Sequence, residues 1–402
     1  MESQTLVYDS NPYDVAVIGA GPAGLSAAYN TASRGLKTII LEEHKVVGQP
    51  VHCGEGLSQF AINRMKLDIP NEALGFKVKG IRIIFPDGST TMLREEGYDL
   101  NKDLFEQALA VRAQGAGADL KTSSRVIEMS RSSSIWSLSS PSMGVKAKAV
   151  IDASGYQSVS NSLIKFNSKK TKMVAGAQYL MENIPSDGYI DFYLWPRLAP
   201  KGYLWVMPKT DGQANVGIVS DDPKTIHKNL KQFVIEKGFE NNKIIRPFGG
   251  MIPESGPLPK TYGEGLLLVG DAAGFTSPMF EGGTQLSLKS GEIAAIALSN
   301  ASKLEGSDPF SEDNLAPYQS MWKKEFPPYE KLLKGKEHFY AYSEKQLNKI
   351  GQILPPDVTH LSATDKLKIG TRLLLNGADL IFKNFFSSMN TFSYSTGQNY
   401  GW

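Results

Sequence analysis

The first fifty residues hold the pattern that most restricts the fold. Asp14-Val15-Ala16-Val17-Ile18 is a short apolar run leading directly into Gly19-Ala20-Gly21-Pro22-Ala23-Gly24. An amphipathic segment follows, with Leu25, Ala28 and Ala32 on its inner face, and closes at Gly35. A second apolar run, Thr38 to Leu41, ends in Glu42. Strand, glycine turn, helix, strand and acid, in that order, predict a dinucleotide-binding unit. Gly19 makes the tight turn, Gly21 lets the backbone approach a pyrophosphate, and Gly24 lets helix and strand pack closely. The helix N-terminus offers free N–H groups to the phosphates, and Glu42 is placed to accept hydrogen bonds from a ribose. A glycine turn alone could be structural; with every element in register it is read as a cofactor site.

The chain has 402 residues, enough for two or three domains and for a core that needs no staple. Lys plus Arg number 43 against 41 Asp plus Glu, a net charge of +2. That balance argues against nucleic acid as a partner. Cys53 is the single cysteine, which excludes a disulfide framework, a multi-cysteine zinc site or a cluster on the chain's own thiols. No metal site is expected. Met1 to Pro12 is polar and lacks the basic and apolar regions of a signal peptide. No run reaches the ~20 apolar residues of a membrane-spanning helix. The expectation is a cytoplasmic protein, with peripheral contact at the inner membrane face left open.

Gly265 to Val269 is another apolar run, followed by Gly270-Asp271-Ala272-Ala273-Gly274, then Glu281-Gly282-Gly283-Thr284 and an amphipathic segment, Gln285 to Asn300. This resembles the second FAD fingerprint of the glutathione-reductase and p-hydroxybenzoate-hydroxylase-like flavoproteins. The resemblance implies that Asp271 binds the ribityl chain and that Gly282 to Thr284 face the flavin pyrimidine. A helix N-terminus there stabilises the negative charge of the reduced ring. Ala149 to Gly155 resembles a third element of the same proteins, a strand ending in Asp and Gly. FAD is therefore the expected cofactor. Gly115-Ala116-Gly117 lacks a third glycine and reads as a helix end, so no separate nicotinamide domain is expected.

The expected fold class is α/β (α+β): an FAD-binding fold with an inserted antiparallel-sheet substrate domain and a helical C-terminus. The FAD-binding domain is assigned to residues 1–65, 100–160 and 255–304, the substrate sheet to 66–99 and 161–254, and the helical region to 305–402. Asn101 reads as the cap of a helix from Lys102 to Gln114, with Leu104, Phe105, Ala108 and Val111 on one face. Val126 to Met129, Ile135 to Leu138 and Val145 to Ile151 read as a small antiparallel meander. Asp87-Gly88 marks a hairpin between Ile81 to Phe85 and Ser89 to Leu93. Ile190 to Leu194, Gly202 to Pro208 and Asn215 to Val219 read as further strands.

Two segments resemble the geranylgeranyl reductases, most closely those acting on archaeal digeranylgeranylglycerophospholipids. One runs from Gly48 to Ser58 through Pro50, Cys53, Gly54 and Gly56; the other is Pro200-Lys201-Gly202-Tyr203-Leu204-Trp205-Val206-Met207-Pro208. The resemblance spans about residues 13 to 300. It implies FAD-dependent saturation of the isoprenoid double bonds of archaeal ether lipids. It implies FAD contacts from Ala23, Glu42, Cys53, Gly54, Gly56, Lys102, Val126, Asp271, Gly283 and Thr284, and a lipid cavity lined by Tyr203, Trp205 and Met207. In an extended strand those three share one face, with Leu204 and Val206 on the other; the competing reading is ordinary sheet core. Met207 replaces the motif's Phe, His52 stands where Arg or Tyr is usual, and Lys102 replaces an Arg. Phe275 to Ser290, with Glu281 and Lys289, leans instead toward the electron-transfer-flavoprotein:quinone oxidoreductases.

Cys53 is expected beside the active site as a candidate catalytic residue, although a thiol of pKa ~8.5 is a weak acid for protonating an alkene. Leu367, Leu374, Ala378, Ile381 and Phe385 share a helical stripe beside Lys366, Lys368, Arg372 and Lys383. That helix either packs on its own core or lies on a membrane surface. The expected electron donor is left open between reduced ferredoxin and NAD(P)H. The alternatives to a prenyl-lipid reductase are a quinone-reducing electron-transfer flavoprotein, an aromatic-ring monooxygenase and a non-catalytic FAD or lipid carrier.

Overall fold

The computed structural model describes residues 11–169, 171–376, 380 and 385–402. Val15, Ala16, Val17 and Ile18 are buried, as a central parallel strand with both faces covered requires. Their strand, Tyr13–Ile18, pairs in parallel with Thr38–Leu41 on one side and Gly144–Asp152 on the other. Asp119–Lys121 and Leu266–Leu268 extend the parallel sheet at its two flanks. Glu128–Ser132 and Ile135–Ser139 form the expected meander with Gly144–Asp152, which thus serves both arrangements. Helix Pro22–Ala32 follows the glycine turn and packs against helix Thr284–Ala301, where the Ser26 hydroxyl donates to the Leu288 carbonyl at 2.6 Å. The two cofactor fingerprints, distant in sequence, are thereby joined.

The second sheet has seven strands in the order Ile244–Pro253, Met173–Met181, Ala214–Ser220, Tyr203–Pro208, Ile190–Tyr193, Ile81–Ile84 and Thr90–Leu93. All neighbours are antiparallel except Ile190–Tyr193 with Ile81–Ile84. The alternation expected along Tyr203–Pro208 separates two cores. Tyr203, Trp205 and Met207 pack with Phe280, Phe339, Phe385 and Trp402, whereas Leu204 and Val206 pack with Val216 and Phe233. A small sheet of Gly56–Ser58, Gly97–Asp99 and Phe76–Val78 joins segments on both sides of residue 65.

Helix Lys102–Gly115 forms, but Asn101 does not cap it with its side chain. The Asn101 amide donates to the Glu72 carbonyl, and the Lys102 N–H donates to Glu55 Oε1 at 3.2 Å. An acid 47 residues upstream therefore takes the capping role. The buried face also differs, being Phe105, Leu109, Ala110 and Ala113, while Leu104 and Val111 are exposed. After residue 305 the chain is helical. Helices Tyr329–Tyr340, Glu344–Ile353 and Phe385–Phe392 contribute to the core that the substrate sheet closes. The stripe expected from Leu367 onward splits: Phe385 is buried, whereas Leu367 and Leu374 are exposed. Ala378, Ile381 and Lys383 lie outside the described residues, as do Met1 to Ser10. Among the described residues no helix is long and apolar enough to cross a membrane.

A Cβ added to Gly24 would lie 2.0 Å from the Gly19 carbonyl oxygen. Gly24→Ala should therefore force the helix off the turn, at a cost of about 1–3 kcal/mol or more. The urea midpoint should drop accordingly and FAD retention should fall with it.

Candidate active site

A cavity of about 320 Å³ opens at the glycine turn, bordered by Gly19, Gly21, Glu42, Gly48, Val126 and Ser154. Gly19 adopts φ +98°, and a Cβ there would lie 2.6 Å from the Ala153 carbonyl oxygen, so the turn admits no side chain. Gly21 has nothing within 4 Å of the equivalent position, which leaves its backbone accessible to a phosphate. Glu42 Oε2 accepts from the Ala20 N–H at 2.7 Å and Oε1 from the His44 N–H at 2.9 Å. Its carboxylate thus braces the turn while facing the cavity. Asp152, in the third fingerprint, is instead consumed internally, accepting from the hydroxyls of Ser154, Ser158 and Ser160.

Asp271 marks the other end of the site. Burial raises its carboxyl to about 6, against the pull of the Lys102 ammonium. Among the described residues nothing hydrogen-bonds this carboxyl. A Cβ on Gly283 would come within 3.6 Å of Asp271 Oδ1, so Asp271 and the start of helix Thr284–Ala301 converge. Gln285, in the first turn, is 2% exposed, and both its amide atoms lack partners. Unfilled donors and acceptors at a helix N-terminus, continuous with a nucleotide cradle, suit the ribityl chain and pyrimidine of FAD. The residues fit that cofactor. Ala23 and Gly282 are packed against neighbouring elements: a Cβ on Gly270 would lie 2.8 Å from Ala23 Cβ, and one on Gly282 the same distance from the Gly401 carbonyl oxygen.

Lys102 is buried and ion-paired with Glu106, a residue of the nucleotide cavity wall. Burial penalises its ammonium most, but Glu106 and its other acidic neighbours together outweigh that cost and hold it charged. Cys53 stands nearby. Burial pushes its thiol up against the opposing Lys102 charge, so the sulfur is a protonated thiol at neutral pH. Its Sγ accepts from the Glu55 N–H at 3.3 Å. The Cys53 carbonyl accepts from Gln178 Nε2 at 2.8 Å, and Gln178 Oε1 accepts from the Trp205 indole at 3.1 Å. Trp205 lies over Gly217, where any Cβ would come within 2.3 Å of the indole. Met207 covers the cysteine loop, its sulfur 3.3 Å from where a Gly54 Cβ would be and its methyl 3.1 Å from that of Gly56.

Tyr203 donates to the Phe280 carbonyl at 2.7 Å, and its ring packs edge-on to that of Phe280 and at a tilt against that of Phe192. Phe280 is the partition between this cluster and an apolar cavity of about 690 Å³. Ile83, Phe85, Ile369, Phe385 and Phe392 form much of its wall. Tyr203, Trp205 and Met207 stand behind Phe280 rather than at the cavity surface. The sequence reading missed Phe280 as a wall residue, although it adjoins the Glu281-Gly282-Gly283 segment singled out above. Gln178, Glu55 and Trp402 carried no local signal.

Glu55 ties the loop down. Its Oε2 accepts from Lys209 Nζ at 2.7 Å and from Asn215 Nδ2 at 2.6 Å. Lys209 also lies 3.2 Å from Asp99, whose carboxyl burial pushes up to about 7, with Lys209 opposing and Glu55 adding to the shift. The native chain therefore holds a proton that the unfolded chain, with an ordinary value of 3.8, releases. Stability falls as pH rises from that value toward 7 and then levels. Thermal melts should show a larger loss between pH 5 and 8 for the wild type than for Asp99→Asn.

Residues 172–252 match the geranylgeranyl reductase catalytic domain and residues 14–132 an FAD binding domain. The digeranylgeranylglycerophospholipid reductase of Methanocaldococcus jannaschii is 33% identical over 85% of this chain and 90% of its own. That of Methanosarcina acetivorans is 34% identical over 78% and 81%. The crystal structure of a geranylgeranyl bacteriochlorophyll reductase-like protein from Thermoplasma acidophilum superposes with a TM-score of 0.82 at 29% identity, covering 91% of this chain and 96% of that one. A flavin-dependent halogenase shares the fold alone, with a TM-score of 0.65 at 16% identity over 93% of this chain and 78% of its own. On that identity over most of both chains and on the two domain matches, the chain belongs to the digeranylgeranylglycerophospholipid reductase family of FAD-binding proteins.

Proposed function

We propose that this protein is an FAD-dependent reductase that saturates isoprenoid C=C bonds of geranylgeranyl chains in archaeal membrane ether lipids. The observation that carries the reading is the apolar cavity of about 690 Å³ ending at Phe280, behind which Tyr203, Trp205 and Gln178 lead in direct contact to the cysteine loop. Each buried CH₂ contributes about 0.8 kcal/mol, so a C20 tail could gain on the order of 15 kcal/mol gross before the cost of ordering it. FAD, when bound, supplies a hydride for one alkene carbon. Glu42 and the glycine turn would hold its adenosine end, and Asp271 with the N-terminus of helix Thr284–Ala301 its ribityl and pyrimidine end. Tyr203, Trp205 and Met207 exclude water behind Phe280. Cys53, held as a neutral thiol, orients rather than attacks.

The same reading places the cavity mouth at a membrane. Helix Ala363–Asn376 buries Leu373 and presents Leu367, Leu374 and Leu375 outward, each more than two-thirds exposed, with Phe386 beside them. Lys366, Ile369, Gly370 and Phe386 also border the cavity. Apolar side chains flanked by Lys366, Lys368 and Arg372 suit an anionic lipid surface, from which a tail can enter without crossing water.

An anaerobic assay tests the chemistry. Dithionite-reduced enzyme given digeranylgeranylglycerophospholipid should yield product masses rising in steps of two hydrogens, and Tyr203→Ala/Trp205→Ala should lose at least ~100-fold in rate. Unchanged lipid with flavin reoxidised by a quinone would transfer the assignment to the quinone oxidoreductases. For the membrane face, Leu374→Asp/Leu375→Asp should abolish flotation with anionic vesicles while keeping FAD bound; undiminished flotation would refute that contact.

A further inference from the structure

Helix Thr284–Ala301 begins uncapped: Gly283, at the N-cap, has no side chain to accept from the first-turn N–H groups. Those donors would face the pyrimidine end of FAD. How far they stand from the cysteine loop therefore decides how the ring can sit. The residue that spans this gap lies outside both cofactor fingerprints. Trp402 is 6% exposed, and its Cα stands 3.1 Å from where a Gly282 Cβ would be, with the Gly401 carbonyl oxygen 2.8 Å from the same point. On its other side the indole lies 3.8 Å from the Cβ position of Gly56, in the cysteine loop, and 2.3 Å from that of Gly97 on the adjoining strand. A side chain at Gly97 or Gly282 would displace Trp402. Glycines from two distant segments thus leave room for this one residue.

The contact is clipped in place from two sides. The indole N–H donates to Glu95 Oε2 at 2.7 Å, and the Gly397 N–H donates to the same oxygen at 2.7 Å. The Gly401 N–H donates to the Thr396 carbonyl at 2.8 Å, which closes the segment into a compact turn. Arg64 Nη2 donates to the Gln398 carbonyl at 2.8 Å, and its guanidinium lies over the Tyr400 ring. Glu95 directly precedes the Gly97 strand, and Arg64 ends helix Gln59–Arg64, which follows the cysteine loop. The turn that carries Trp402 is therefore fixed to the elements on both sides of that loop.

We propose that Trp402 is a positioning residue for the flavin, setting the separation between the pyrimidine-facing start of helix Thr284–Ala301 and the cysteine loop. Glu95 serves it by fixing the rotation of the indole. A tryptophan is a stiff spacer, and its one N–H, once bonded, leaves the ring a single seat. Through Gly282 it holds the free N–H groups where negative charge gathers on a reduced ring, so it acts on FAD affinity and on the ease of reduction together. The role concerns the cofactor seat and is independent of which lipid is reduced.

The test titrates the apoprotein with FAD and records the visible circular dichroism and midpoint potential of the bound flavin in wild type, Trp402→Phe, Trp402→Ala and Glu95→Leu. Trp402→Phe keeps an aromatic ring but loses the N–H, and Glu95→Leu removes the acceptor. Both should weaken FAD binding about tenfold, the loss of one buried hydrogen bond. Both should also alter the flavin dichroism and lower the midpoint potential, because N–H groups moved off the ring no longer favour its reduced form. Trp402→Ala should weaken binding further; if it does not fold, the other two variants carry the test. An indole that merely fills space predicts lower melting temperatures for the variant apoproteins with wild-type FAD affinity, dichroism and potential. That result overturns the positioning role. Failure of the wild type to reduce the lipid would sink the reductase reading and leave these flavin readouts unchanged.

Discussion

The Glu55 carboxylate is the contact on which the geometry of the site depends. It accepts from the Lys102 N–H, from Lys209 and from Asn215, so one side chain joins the start of a cofactor-domain helix to two strands of the substrate sheet. Its own backbone sits at φ +77°, a conformation that a non-glycine residue keeps only when its surroundings enforce it. The carboxylate's partners supply that enforcement. A buried ion pair of this kind adds little net stability over apolar packing, yet losing one partner leaves an uncompensated charge. Its worth is positional: Cys53, two residues earlier, is held against Gln178 and beneath Met207.

From that anchor the molecule divides into a polar half and an apolar half that meet at Phe280. On one side the glycine turn, Glu42, Asp271 and Gln285 present donors and acceptors suited to a long polar cofactor. On the other, aromatic and aliphatic side chains enclose a cavity suited to a hydrocarbon. The Trp205–Gln178–Cys53 chain of hydrogen bonds crosses between them. The aromatic strand and the cysteine loop are therefore held in one register by fixed contacts.

The cofactor half was legible because its signals are local. The turn at Gly19, the helix packing at Gly24 and the acid at Glu42 each follow from neighbours in sequence, and the strands of both sheets came from alternation. What the sequence hid depends on distant residues. Asn101 reads as a helix cap, yet Glu55 performs that function because the substrate sheet delivers Lys209 and Asn215 to the same carboxylate. Tyr203 and Trp205 share a face as alternation requires, but alternation cannot show that Phe280, from a loop 77 residues beyond Tyr203, stands between them and the cavity. The stripe on the C-terminal helices was divided because Phe385 meets the sheet core while Leu367 and Leu374 point outward.

The electrostatics of the interior follow one rule. Burial raises Cys53, Tyr203, Tyr340, Glu281 and Asp271, so the acids around the site favour their neutral forms. The buried lysines behave oppositely: Lys102, Lys209 and Lys336 are each penalised by desolvation, yet adjacent carboxylates outweigh that cost and keep them charged. The result is an interior in which acids without a cation beside them favour their neutral forms, while Lys102, Lys209 and Lys336 persist as members of ion pairs. Burial in the apolar half would penalise any anionic group, so one seated beside Asp271 would owe its stability to Lys102 and to the free N–H groups at the start of helix Thr284–Ala301.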